Sequence, residues 1–471
     1  MDDYKRVFIE FALKNGLKVF DNPDDDRTLK SGRISPWFMN LGDFNDGCTL
    51  ANLSESYADA IISSGVRVDS LFGIPEKGVS LVGPVATDMA RRGMNVGWFF
   101  TRKEVKTHGE ATGKTDLTKK VVGRIPRDGE SIGQLDDVFT AGDAKYGARK
   151  ELESMGMFTY PLLAIALDRQ EVAIDGRNAI EEYQKNTDTR VVSVVSASDV
   201  LEFLRADSKY KEAVRRMENY LRVYGTDEVK GNIGKLEQTV ITRDRSVIPA
   251  CDISSLDRFE ELVKNTADID GIGGYKIGFE LGLFHGLPKV VEVARKYTKK
   301  PIIYDHQKAG TDIPDTGRNF ANVMKNAGVD TVILFPQSGP ETERAWIYHA
   351  LDKELNVIVG GRMTHPAYAV SEGGFISDEG ALSMYRIAAR AGVRHFVVPG
   401  NKIDVIKQVR ELVESEGISN PVFYAPGFVA QKGEISEAAR VAGDRFHGIV
   451  GRGIYATDNI RQAAVELTSK L

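Results

Sequence analysis

The sequence predicts an α/β protein in two parts: a mostly parallel sheet flanked by helices, then a (β/α)8 barrel. Two observations carry this. Short apolar segments alternate with helical patterns through most of the 471 residues, the arrangement that builds βαβ units and parallel sheets. In the second half, eight such segments recur within about 225 residues, which is the count and size of a closed barrel. An open, doubly wound sheet is the alternative for that half.

Taken in order, the first half predicts strands at 69–74, 96–100, 120–124, 132–138, 162–168 and 190–195, with helical patterns such as 53–64 and 81–92 between them. This gives a first domain over 1–205. A charged helical pattern at 204–224 then runs into a polar stretch containing Gly225 and Gly231, so 206–244 reads as a helical, charged linker. The barrel, 245–471, takes its eight strands from VIPACDI, GYKIG, PIIYDH, DTVILF, NVIVGG, HFVVPG, PVFYAP and HGIVGRG. Helical patterns at 256–265, 287–297 and 380–391 separate several of them. Barrel chemistry sits at the C-terminal ends of strands. Asp252, Lys276, Asp305, the stretch 426–431 and Arg452 all follow apolar runs.

Composition narrows the function classes. The net charge of −5 leaves no broad basic field for nucleic acid, so an anionic ligand needs a local site. Cys48 and Cys251 are the only cysteines, too few for a disulfide framework or a thiolate metal cluster, which suits a reducing cytoplasm. The N-terminus is patterned as an amphipathic helix, unlike a signal peptide. No apolar run approaches the ~18 residues of a membrane span. The expectation is a cytoplasmic enzyme with neither nucleic acid nor membrane as partner.

The first motif is QLDDVFTAGDA at 134–144. Two adjacent carboxylates close a strand and a small-residue turn opens a helix. Such a turn aims backbone N–H groups at a phosphate, and the helix dipole favours the anion. The carboxylates can hold ribose hydroxyls or Mg²⁺. The motif resembles the phosphoribosyl-diphosphate (PRPP) signature of type I phosphoribosyltransferases, with Gly133 and Gln134 departing from the usual apolar run before it. KSGRISPWFMN at 30–40, GIPEKG at 73–78 and FTRKEVKTHGE at 100–110 are very similar to orotate phosphoribosyltransferase. The last is similar to that family's mobile catalytic loop: three fixed cations and a histidine, able to close over pyrophosphate and neutralise its charge.

This resemblance implies roles position by position. Lys30 and Lys77 contact pyrophosphate; Arg102, Lys103, Lys106 and His108 form a loop that reaches a partner's site, with Lys106 and His108 taken as catalytic. Asp136 and Asp137 hold the ribose, and Thr140, Ala141, Gly142, Asp143 and Ala144 hold the 5′-phosphate. Phe38 lines the orotate pocket. Magnesium is carried mainly by PRPP, without a dedicated set of side-chain ligands. Glu76 stands where an aromatic is common, and Thr107, Ala111 and Thr112 alter the loop's spelling.

The second constellation is Lys276, Asp305, Lys308 and Asp312, which resembles the Lys–Asp–Lys–Asp array of orotidine-5′-monophosphate (OMP) decarboxylase. Asp252, IPDT at 313–316, MTHP at 363–366, PGFVAQKG at 426–433 and VGRGIY at 450–455 extend that resemblance. It implies catalytic roles for the four charged residues, ligand contacts for Asp252, Thr316, Thr364 and Pro426, and a phosphate grip from Gln431, Gly451 and Arg452. The chemistry needs such an array. Loss of CO₂ from the pyrimidine leaves a carbanion without a conjugated sink, so without a cofactor the protein must stabilise it electrostatically. The string DHQKAGTD at 305–312 carries one extra residue in each gap of the family spacing. Lys308 is its only lysine and takes the role of proton donor, with His306 as a polar rival.

Together the resemblances imply two consecutive steps: PRPP and orotate give OMP, which loses CO₂ to give UMP. They also imply a homodimer or higher oligomer. Two alternatives are a barrel with another sugar-phosphate decarboxylase activity and a regulatory PRPP-binding protein.

Overall fold

The computed structural model describes residues 1–102, 120–139, 142–306, 309–428 and 434–471. The chain divides into two units, Met1–Ile233 and Gly234–Leu471.

The first unit is built on a six-stranded sheet: β1 (Ser70–Gly73), β2 (Gly97–Thr101), β3 (Val121–Gly123), β4 (Ser131–Leu135), β5 (Thr159–Asp168) and β6 (Arg190–Ser196). The spatial order is β6-β5-β4-β1-β2-β3, and only the β2–β3 pair is antiparallel. The expected mostly parallel sheet is therefore present, with all six strands near their predicted positions. β1 is buried throughout and β5 nearly so, hence their continuous apolar sequence. The helix Gly47–Ser63 starts from a capping box between Asp46 and Thr49. It packs against a second helix, Gly78–Arg91. Two small antiparallel ladders, Leu17–Val19 with Trp37–Met39 and Arg27–Thr28 with Ile34–Ser35, were not among the predicted strands. Each is two or three residues long, too short for a period to register.

The stretch 206–244 is shared between the units. Its helix, Lys211–Tyr224, buries Met217, Tyr220 and Leu221 and belongs to the first unit. The charged pattern hid a strongly amphipathic helix with an apolar stripe.

The second unit is a closed eight-stranded parallel barrel, which excludes the open sheet. Its strands are β7 (Arg245–Cys251), β8 (Tyr275–Ile277), β9 (Ile302–Asp305), β10 (Thr331–Leu334), β11 (Asn356–Gly360), β12 (His395–Val397), β13 (Val422–Pro426) and β14 (Phe446–Val450). Ile248, Ile303, Ile333, Ile358, Val397, Tyr424 and Ile449 meet in one buried core. A polar layer lies nearer the strands' N-terminal ends. There the Ser246 hydroxyl meets His447 Nδ1 at 2.8 Å, and His395 Nδ1 meets the Tyr424 hydroxyl at 3.0 Å. His395 Nε2 lies 3.3 Å from the Gln238 carbonyl oxygen. Among the described residues no helix is long and apolar enough to cross a membrane.

Candidate active sites

In the first unit, strand register brings the motifs to one sheet edge. Gly73 pairs with Phe100 on one side and Leu135 on the other, so β1, β2 and β4 end together. The GIPEKG turn, Arg102 and the Asp136–Asp137 pair all follow these ends, where ligands of open parallel sheets gather. Gly78 is required there: a Cβ would fall 2.1 Å from the Leu135 carbonyl oxygen. That close approach sets the start of the helix Gly78–Arg91 against the end of β4, with Lys77 exposed just before it. The Pro75–Glu76 peptide bond is cis.

Asp136 is buried and bound to Lys145 Nζ at 2.6 Å. Burial raises its carboxyl above the usual range, although Lys145 pulls the other way. Lys145 also donates to the Val138 carbonyl, and the Tyr57 hydroxyl donates to the Asp136 carbonyl, each at 2.6 Å. Asp137 is less buried and caps the Val138 amide at 2.8 Å. Gly142, with φ 87°, precedes the helix Asp143–Glu153, so Asp143 and Ala144 lie in its first turn. Thr140 and Ala141 fall outside the described residues, as do Lys103, Lys106 and His108. Arg102 bonds its amide to the Lys120 carbonyl at 3.0 Å, holding the two ends of the cationic segment together. The Gly133–Gln134 departure is absorbed by packing. Leu71 and Val68 occupy the space beside Gly133, and buried Gln134 accepts from Tyr183 at 3.3 Å.

Lys30 is exposed on the turn joining Arg27–Thr28 to Ile34–Ser35, and half-buried Phe38 lies in the next short strand. Against Trp37, the residue before Phe38, stands Arg169, which the sequence reading missed. Its guanidinium lies 4.0 Å over the Trp37 ring and bonds Ser35 Oγ at 3.0 Å and Glu171 at 2.7 Å. The available signal was its place immediately after the longest buried strand.

In the second unit, Ala250 pairs with Lys276, and Ile277 with Tyr304. This aligns Asp252, Lys276 and Asp305 at the C-terminal end of the barrel. Lys276 Nζ lies 3.2 Å from Asp252 and 3.1 Å from Asp305. Burial alone would pull the Lys276 ammonium down, but Asp305 and then Asp252 outweigh it and hold its affinity for the proton above the usual range. Asp312 is exposed, and its carbonyl accepts from the Thr342 hydroxyl at 2.9 Å. Thr316 opens the helix Thr316–Asn326. Exposed His306 is held by the Tyr304 hydroxyl through Nδ1. Pro426 ends β13, and Gly451 and exposed Arg452 follow β14. Thr364 follows β11, and its carbonyl accepts from Asn401 at 3.1 Å. Lys308 and Gln431 fall outside the described residues.

Comparison with known proteins assigns both halves. Over 226 residues the chain is 38% identical to the orotate phosphoribosyltransferase of Pseudomonas paraeruginosa (strain DSM 24068 / PA7), covering 48% of this chain and 100% of that protein. The chain belongs to the orotate phosphoribosyltransferase family. Residues 245–467 match the Orotidine 5'-phosphate decarboxylase / HUMPS family. Among solved structures, the chain is similar to orotate phosphoribosyltransferase of Francisella tularensis: 32% identity, 47% of this chain, 100% of that one, TM-score 0.40. It is also similar to orotidine 5'-monophosphate decarboxylase from Methanocaldococcus jannaschii complexed with inhibitor BMP: 24% identity, 49% of this chain, 99% of that one, TM-score 0.43.

An orotate phosphoribosyltransferase half thus precedes an OMP decarboxylase half in one bifunctional enzyme of pyrimidine biosynthesis, which makes OMP and converts it to UMP.

Proposed function

We propose that the two steps run at the two sites described above, with roles as follows. In the first unit, Asp137 and the paired Asp136 receive the ribose hydroxyls of PRPP, and residues 140–144 receive its 5′-phosphate at the helix N-terminus. Lys30 and Lys77 face the pyrophosphate, while Phe38 lines the orotate pocket and the Arg169 guanidinium, held on Trp37, offers a cation to the orotate carboxylate. Arg102, Lys103, Lys106 and His108 neutralise the leaving group. Asp136 is committed to Lys145. Mg²⁺ is carried chiefly by the oxygens of PRPP, as Mg²⁺ commonly is by substrate phosphates. The metal would offset phosphate charge.

In the barrel, the observation that carries the reading is Lys276 held between Asp252 and Asp305. Asp305 and Asp312 place negative charge near the substrate carboxylate, and an ammonium stabilises the carbanion and protonates it. Lys308 is assigned as that donor. Thr364 and Pro426 receive the pyrimidine; Gln431, Gly451 and Arg452 receive the phosphate, whose binding energy assists the remote chemistry. The protein works in the cytoplasm as a homodimer or larger homo-oligomer, its catalytic loop and the 312–316 segment completing neighbouring sites.

The test is purified chain with orotate, PRPP and Mg²⁺, followed for OMP and UMP. Lys106→Ala should slow OMP formation about 10²-fold and leave decarboxylation of added OMP unchanged. Equal loss of both activities would argue against separate sites. Subunit sharing has its own test: mixing inactive Lys276→Ala with inactive Asp312→Ala protein should restore part of the decarboxylase activity. No recovery after verified subunit exchange would refute it.

A further inference from the structure

The loop between β11 and the helix Asp378–Arg390 carries Thr364. Its later part is tied by its own amides, Val370 to the Ile376 carbonyl and Gly374 to the Ala369 carbonyl, each at 2.8 Å, whereas the Thr364 and His365 carbonyls are held from outside. Asn401 and Lys402, just past the end of β12, reach across to it. Asn401 Nδ2 donates to the Thr364 carbonyl at 3.1 Å. Lys402 Nζ donates to the next carbonyl, that of His365, at 3.3 Å. The same ammonium pairs with Glu372 at 2.5 Å. Glu372 turns back to accept from the Tyr368 amide at 3.4 Å and stands 3.7 Å from Arg362. Arg362 in turn binds Asp378 at 2.7 Å, and the Tyr368 hydroxyl accepts from Gln337 at 2.9 Å. Met363, immediately before Thr364, packs against the barrel core.

Two consecutive side chains from β12 therefore grip two consecutive carbonyls and one carboxylate on the β11 loop. The loop's own backbone bonds lie at 368–376, past Thr364, and neither Asn401 nor Lys402 follows from the catalytic array. Their position is also informative. The Gly400 amide bonds the Pro426 carbonyl at 2.8 Å, so the clamp starts beside the strand end that opens the 426–433 segment.

We propose that Asn401 and Lys402 are positioning residues for the pyrimidine ring, acting by fixing Thr364 at the decarboxylase site. This rests on the assignment of Thr364 to the pyrimidine. The phosphate is gripped elsewhere, so the clamp governs recognition of the base and leaves recognition of ribose phosphate alone. A small displacement of a positioned group is costly in such a site.

The experiment measures inhibition of decarboxylation by two probes, UMP and ribose 5-phosphate, in the full-length protein. Asn401→Ala and Lys402→Met should each raise the inhibition constant of UMP about tenfold and leave that of ribose 5-phosphate within about twofold. Lys402→Arg, which keeps the cation, should recover most of the UMP affinity. Retained ribose 5-phosphate binding also reports that each variant is folded. Parallel loss for both probes, or no loss for either, would overturn the clamp. Thr364→Val separates the underlying assignment. If it leaves UMP binding unchanged, Thr364 does not meet the pyrimidine. If it weakens UMP while the Asn401 and Lys402 variants do not, the clamp alone fails.

Discussion

Replacing Lys276 by methionine should slow decarboxylation of OMP roughly 10³-fold and leave phosphoribosyl transfer unchanged. Methionine keeps the apolar stem and removes the charge. The ammonium is buried and lies within 3.2 Å of both Asp252 and Asp305. Without it Asp305 and the more exposed Asp252 face each other with no cation between them, and the buried site of the ammonium is left without its charge. The two carboxylates would repel and move apart, which disperses the field meant for the substrate carboxylate. Lys276→Arg should fall between, since its fork can reach both partners but not as a point charge. The measurement is the single-turnover rate on saturating OMP, with OMP formation from orotate as the internal control. A methionine variant within tenfold of the unsubstituted rate would remove Lys276 from the catalytic array.

Acid should unfold the barrel before the first unit. The cause is the polar layer at the strands' N-terminal ends. Burial pushes His395 down to about 4 and His447 down to about 3, with Arg445 adding to both. Ser246, Tyr424 and the Gln238 carbonyl face them as neutral partners. Both histidines bind protons more weakly folded than unfolded. Their stabilising contribution is full above the unfolded value near 6.5 and is lost as pH falls toward the folded values. Glu343, fully buried in the same unit, has its carboxyl pushed well above the usual range by burial and opposes the loss with one proton against two. The two histidines outnumber it, so the barrel loses stability as pH falls from about 6 to 5. In the first unit the sign is reversed: burial pushes Asp168 up to about 6 and raises Asp136, so protonation favours its folded state. Urea midpoints followed through each activity should therefore fall for decarboxylation between pH 7 and pH 5 and hold or rise for phosphoribosyl transfer. A decarboxylase midpoint that does not fall, or one equally steep in His447→Asn, would contradict the account.

Some of this protein is written locally. The apolar segments specify most strands of both units, because a buried parallel strand needs a short apolar run and most of the segments satisfy that need by themselves; β4, with Gly133 and Gln134, is an exception. The turn ending in Gly142 and the carboxylates at 136–137 are contiguous, so their chemistry is readable from one stretch of chain. Asp252 follows β7, Lys276 lies near the end of β8 and Asp305 ends β9, and the barrel rule places all strand ends on one rim. Other features depend on pairings between distant residues, which leave no local pattern. The order β6-β5-β4-β1-β2-β3 decides that GIPEKG lies beside Asp136. Lys145, which reads as one more charge on an exposed helix, turns inward to neutralise Asp136 because that is the buried partner within reach. Arg169 acquires its place only when β5 ends against Trp37. His395 and His447 are ordinary histidines in sequence, and only barrel closure, by removing water from both, makes them weak bases. Local periodicity determined the elements and the strand-end chemistry, whereas tertiary closure decided which charges meet and which groups lose their water.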